Sequence, residues 1–384
     1  MFLTASTSPT SRNLVLPLFV ATGLLPRMIN DTIGVSYAIT GTILILLCIA
    51  WLSHFKQGRF SLLGQLFLAL FLHTTTTALI FGEHSPDGLK RVFVIASYTL
   101  IIFLLPPLIK ETKTWVKFHI FISIIGCTYL IACMLYNPIT VNNITNPMFD
   151  RYQGISGINY TAIVATITTI SSFISSQITG KRLYILPILF STTILIFTGS
   201  RASMLVLIAF FAITKIQKSP RKYLSFLAIA ILFITAHLSQ NTEILTLLRF
   251  DDYSVAGRLT GVTYALDSII NNNGLPFGYA SLNTEARQEL LDNSYLMLTL
   301  EGGLPAILII ITAIGSTIWN SAKKPAQTTT EFKARALCIS SIAAISIHGL
   351  FETYIWFGFD IGTITLLFNL AFLSKTQDAQ TRQA

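Results

Sequence analysis

The stretch "ILIFTGSRASMLVLIAFF", residues 194–211, sets two apolar runs on either side of a short break and leaves one arginine, Arg201, at the junction. Runs of this composition read as membrane-spanning segments, and a break this short makes them a tight hairpin. The chain around it is therefore a bundle of membrane helices. Desolvating a guanidinium at that depth is expensive, and no carboxylate lies nearby in sequence. Arg201 asks for an explanation that packing does not supply.

The rest of the chain agrees with the hairpin. Of its 384 residues, 52% are hydrophobic and 11% charged, and the mean hydropathy is +0.65. Soluble domains carry about 25% charged residues, so a soluble enzyme is excluded. The net charge of +9 does not imply a nucleic-acid partner, because the basic residues are scattered through short loops rather than gathered on one face. Cys48, Cys127, Cys133 and Cys338 all lie inside apolar runs without metal-type spacing. They read as buried thiols, and neither a metal nor a cofactor is expected.

A bilayer core takes roughly 20 apolar residues per helix. Apolar runs near 13–27, 34–53, 60–82, 91–109, 116–136, 158–177, 182–199, 202–215, 222–238, 294–318, 334–350 and 354–374 predict an all-α polytopic membrane protein of about twelve spans. The first reads as a retained span rather than a removed signal peptide, since no small-residue cleavage pattern follows it. The whole chain, 1–384, is expected to form one integral membrane domain, with a long outer loop over 239–293 between spans nine and ten.

Charge orients the bundle. Eighteen of the 26 basic residues fall on one side, in clusters such as Lys110, Lys113 and Lys117 or Lys215, Lys218, Arg221 and Lys222. Short basic loops face the cytoplasm, so both termini are expected inside. The remaining eight, Arg201 among them, fall outside with most of the carboxylates.

Polar chemistry collects on that outer side. In the long loop, "AGRLTGVTYALDSII" has helical apolar spacing and predicts a short helix lying on the membrane, opening after Gly257 with Arg258 in its first turn. The loop closes on "LLDNSYLMLTLEGGLPA". There Asp292 is a candidate N-cap, with Asn293 beside it. Glu301 lies inside span ten, either as a functional carboxylate or as the partner of an arginine. His348 and Glu352 stand one turn apart at the outer end of span eleven, either as a pair closing the helix or as part of the same site. A second outer segment, "NPMFDRYQGISGINYTA", brings Arg151 and Asn159 to the entry of span six. Arg151, Arg201, Arg249 and Arg258 together suit an anionic ligand at the outer membrane face, since the guanidinium fork matches phosphate oxygens and stays charged when partly desolvated. A lipid pyrophosphate, with its head at the interface and its tail among helices, is such a ligand; the plainer reading is arginines snorkelling to lipid headgroups.

In order, "RYQGISGINYTA", "TGSRASML", "AGR" and "DNSYLMLTLEGGLPA" resemble the O-antigen ligase and O-antigen polymerase superfamily of bacterial inner-membrane glycosyltransferases, over about residues 145–310. The resemblance implies a GT-C-like fold with short helices in a periplasmic loop, and a metal-independent transfer on the periplasmic face. A glycan on undecaprenyl pyrophosphate would move to a hydroxyl of lipid A-core or of another lipid-linked repeat. It implies that Arg201 and Arg258 grip the pyrophosphate. Many members carry His-Asn where this chain has Asp292-Asn293, so either Asp292 or His348 is left as the group that takes the acceptor proton. Arg151, Asn159, Arg249, Asn293, Glu301 and His348 are then the expected substrate-binding residues.

Two branches fit this resemblance. The length of the outer loop and the order of its motifs favour a ligase; a polymerase is the alternative. A transporter of lipid-linked glycans predicts internal repeats and broken helices near mid-membrane, whereas no repeat is found and the polar residues lie at the outer ends of spans.

Overall fold

The computed structural model describes residues 61–80, 86–109, 111–145, 150–155, 157–218, 253–277, 293–326, 328–352 and 360–378. Those residues form helices and their connections: α1 (Leu62–Ile80), α2 (Pro86–Leu108), α3 (Thr112–Tyr136), the short α4 (Val141–Thr145), α5 (Ile158–Thr179), α6 (Ile185–Thr198), α7 (Arg201–Lys218), α8 (Tyr253–Asn271), α9 (Ser294–Lys323), α10 (Thr329–His348) and α11 (Ile361–Asp378). The expected spans at 13–27, 34–53 and 222–238 lie outside the described residues, as do Arg249 and Asp292.

The protein is all-helical over its described residues. Among them α1, α3, α5 and α9 are long and apolar enough to cross a membrane, and α2, α6 and α11 carry shorter apolar stretches. The helices α7 and α10 fall short because charges enter their ends: Arg201, Lys215 and Lys218 in the first, Glu331, Lys333 and Arg335 in the second. Several helices also run past the apolar stretch that marks them. The helix α3 begins at Thr112 and α10 at Thr329, four and five residues ahead of the expected spans. Hydropathy marks the depth of lipid, whereas backbone hydrogen bonding carries a helix out into the headgroups.

One correction concerns α8. It opens at Tyr253, not after Gly257, so Arg258 lies in its second turn. Glycine inside a helix costs only about 1 kcal/mol relative to alanine, too little to set the start of this helix. The helix packs on the beginning of α9 through Ala265, which is fully buried beside Met297 and Leu300. Its Val262, Leu266 and Ile270 form an exposed stripe at helical spacing.

The centre of the bundle is α5, which packs against α3, α6, α7, α10 and α11. Almost every residue from Tyr160 to Ser175 is buried, including Thr161, Thr166, Thr168, Thr169, Ser171, Ser172 and Ser175. Hydroxyls can be buried there because many bond within their own helix: Thr166 donates to the Ala162 carbonyl at 2.9 Å, Thr169 to Ala165 at 2.9 Å and Ser172 to Thr168 at 2.7 Å. Small polar residues also let helices approach closely. At Gly126 of α3 a Cβ would stand 2.0 Å from the Thr168 hydroxyl.

Asn369 of α11 ties this core together. Its Oδ1 accepts from Trp115 Nε1 at 2.8 Å and lies 3.3 Å from His119 Nε2, while its Nδ2 donates to Ser341 Oγ at 3.0 Å. His119 Nδ1 in turn meets Ser171 Oγ at 3.0 Å. Helices α3, α5, α10 and α11 thus share one polar network centred on one amide. Asn369→Leu strands these partners in a dry core, where each unsatisfied group costs about 1–3 kcal/mol. A clear drop in the Tm of the detergent-solubilised protein is the expected result; an unchanged Tm contradicts the hub.

Candidate functional site

The hairpin at Arg201 is built by Gly199. Ending α6 and starting α7 within two residues requires a left-handed turn, and Gly199 takes it with φ 56° and ψ 23°. Its N–H donates to the Ile196 carbonyl at 3.0 Å, and the carbonyl of buried Ser200 accepts the first hydrogen bond of α7, from Met204 at 3.0 Å. Arg201 is therefore the first residue of α7 and is half-buried. A helix N-terminus carries partial positive charge and disfavours a cation by roughly 0.3–1 kcal/mol. The same partial charge favours an anion at this end of α7.

The segment before α5 braces this turn. The Tyr152 N–H donates to the Phe197 carbonyl at 2.8 Å, and Arg151 Nε donates to the Thr198 carbonyl at 2.9 Å. Arg151 Nη2 also donates to Asn159 Oδ1 at 3.2 Å, and Asn159 Nδ2 donates to Glu352 Oε2 at 3.2 Å. Gly154 lets the segment sit this close, since a Cβ there would stand 2.4 Å from the Thr161 hydroxyl and 2.7 Å from the Cys133 sulfur. Through Nε and Nη2, Arg151 is turned onto the protein itself.

The entry of α9 meets the same corner. Asn293, rather than Asp292, is the N-cap: its Oδ1 accepts from the N–H groups of Tyr295 and Leu296, each at 3.0 Å. Both residue types suit that role, and the extended backbone at Asn293 (φ −143°) decides it. Ser294 N–H donates to the Gly349 carbonyl at 2.8 Å and its hydroxyl to the Glu352 carbonyl at 2.5 Å. Asp292 precedes this cap in the sequence.

Of the two readings of their spacing, the structure bears on the closing of the helix by His348 and Glu352. The Glu352 N–H donates to the His348 carbonyl at 3.0 Å, closing α10. The side chains then part: Glu352 reaches Asn159, and His348 Nε2 lies 3.3 Å from Ser203 Oγ. His348 is buried, with 1% of its surface exposed. Ser203 lies in the first turn of α7, and its carbonyl also accepts from Thr166 at 3.4 Å. One corner of the bundle thus gathers Arg151, Asn159, Arg201, Asn293 and His348.

Glu301 stands apart from that corner and is the partner of an arginine. Its carboxylate is fully buried and pairs with Arg91 of α2, Nε to Oε2 at 3.1 Å and Nη2 to Oε1 at 3.5 Å. Arg258 sits on α8 seven residues, or about 10 Å, towards the N-terminus from buried Ala265; its side chain lies outside the described residues. Sequence reasoning passes over Arg91, Ser203 and Ser294. Ser203 and Ser294 lie within two residues of chosen positions, while nothing near Arg91 in sequence points to Glu301.

No curated protein matches this chain. A family model described as O-antigen ligase matches residues 186–311. That segment runs from α6 through α7 and α8 into the middle of α9, while Arg151, Asn159 and His348 lie beyond it. With this match, the likeness of the chain to the O-antigen ligase and polymerase superfamily is shown for the segment that carries Arg201, Arg258, Asp292 and Glu301.

Proposed function

We propose that the protein is an O-antigen ligase, a multi-pass enzyme of the bacterial inner membrane that moves a polysaccharide from undecaprenyl pyrophosphate to a sugar hydroxyl of lipid A-core. The observation that carries this reading is the convergence on the Arg201 hairpin: the Arg151–Asn159 segment, the Asn293 cap and the end of α10 at His348 and Glu352 all anchor on one corner. The family match supports the reaction class. The charge distribution supports cytoplasmic termini and a periplasmic site.

In this mechanism the acceptor oxygen bonds to the anomeric carbon, and the bond from that carbon to the pyrophosphate oxygen breaks. The bonding electrons leave with the pyrophosphate. Charge therefore grows on the departing group, where fixed cations act most strongly. Arg201 and Arg258 take that role, and Arg249 contributes to the same positive surface. Asp292 receives the acceptor proton, as a carboxylate beside the capping Asn293. His348 is buried against Ser203, which favours Asp292 for the exchange with the acceptor and gives His348 the task of holding α7 in place. The exposed apolar stripe of α8 supports a helix resting on the membrane lipid, next to the donor head group.

The lipopolysaccharide ladder of a deletion strain tests the choice of acceptor. A ligase leaves core without O-antigen while lipid-linked polymer accumulates. A core bearing a single repeat would instead identify a polymerase.

A further inference from the structure

The second buried charge cluster lies at a break in α9. Gly303 has φ 72° and ψ 178°, a conformation open essentially to glycine alone. Pro305, two residues on, lacks the N–H that the Glu301 carbonyl would receive in a continuous helix. In such a helix Leu304 N–H would donate to the Leu300 carbonyl. Instead Leu304 donates to the Gly274 carbonyl at 3.0 Å, and the Leu300 carbonyl accepts from Phe277 at 3.0 Å. The segment 274–277 has inserted itself between the two halves of the missing bond. The fit is close: a Cβ on Gly303 would stand 2.9 Å from the Pro276 nitrogen and 3.0 Å from the Gly274 oxygen.

That inserted segment is joined to α8 by a tight cap. Gly274 N–H donates to the Ile269 carbonyl at 2.8 Å and Asn273 N–H to the Ile270 carbonyl at 3.0 Å, with Asn273 left-handed at φ 51°. This is the Schellman arrangement that ends a helix. The break in α9 is in turn held by two other helices. His73 of α1 donates from Nε2 to the Gly302 carbonyl at 2.6 Å, and Arg91 of α2 pairs with Glu301.

We propose that Arg91, Glu301 and His73 are positioning residues: through the break at Gly303 they fix the loop 274–277, and through it the placement of the Arg258 helix against α9. The proposal rests on the transferase reading only where it concerns catalysis. Holding the helix that carries Arg258 to within about an ångström matters because a misplacement of that size can cost about 100-fold in rate. The ion pair lies two residues before the break, so its loss loosens the break without touching any substrate.

The test places spin labels at Gln153→Cys and Asp267→Cys, both exposed positions, in a full-length background with the four native cysteines replaced by alanine. Distances are read by double electron–electron resonance in micelles. A single narrow distribution is expected for the otherwise unaltered protein. Glu301→Gln and Arg91→Gln should each widen or split it, and should lower kcat about 100-fold with little change in the donor KM. Gly303→Ala leaves both charges in place but sets a Cβ against Pro276, and should have the same effect. An unchanged distribution in Gly303→Ala and in Glu301→Gln overturns the proposal, and so does a widened distribution with kcat unaltered when Arg258→Ala abolishes transfer. If Arg258→Ala transfers at the wild-type rate while the distances still respond to the three variants, the transferase role of Arg258 fails and the latch itself stands.

Discussion

Arg201→Ala is expected to lower glycan transfer by about 100- to 1000-fold, the loss seen when one preorganised charge-stabilising donor is taken from an active site. The protein should still insert and accumulate. Gly199 sets the hairpin, and the clamp from Arg151 and Tyr152 binds backbone carbonyls of Thr198 and Phe197, none of which needs the Arg201 side chain. Arg201→Lys separates charge from geometry. Lysine keeps the positive charge but offers a point ammonium in place of a planar fork, so it should restore only a small part of the activity. Activity is read as transfer per unit of membrane-inserted protein. Full activity in Arg201→Ala would strip the hairpin arginine of any part in the reaction.

Asp292→Asn is the second large effect. General base catalysis contributes about 100- to 10,000-fold, and the amide cannot take the acceptor proton, so kcat should fall by that order with donor binding retained. The capping of α9 is not at stake, because Asn293 supplies it. His348→Gln should cost far less: an amide can still reach Ser203, and the imidazole is buried where it meets that hydroxyl. Measuring kcat and KM for both variants separates the two candidates. A larger loss in His348→Gln than in Asp292→Asn reverses the assignment.

How much of the molecule is legible in the sequence differs from element to element. The helices α1, α3, α5 and α9 stand out because lipid forces long apolar runs to close their own backbone bonds. The hairpin at 199–201 is equally legible, since "TGSR" leaves no room for a loop. Helix ends are read less well. At α8 the glycine at 257 suggests a start, although the helix begins four residues earlier.

Side-chain partners are the hardest to read, for a physical reason. Arg91 and Glu301 are 210 residues apart, and the bond from Asn159 to Glu352 spans 193. Periodicity constrains which face a residue occupies, not which distant face it meets. Arg151 shows the consequence: grouped with the outer arginines by charge alone, it bonds to the Thr198 carbonyl and Asn159. The "EGGLP" motif does contain the glycines and proline of a broken helix. What no local rule supplies is that residues 274–277 return to fill the break.

The most direct measurement is transfer by purified protein from an undecaprenyl-pyrophosphate-linked glycan of defined length to purified lipid A-core, comparing wild type with Arg201→Ala. Glycosylated core is expected from the wild type, with a product yield at least about 100-fold lower from the variant. Equal yields from the two proteins, or no product from a folded wild type, would contradict a ligase built on the Arg201 hairpin.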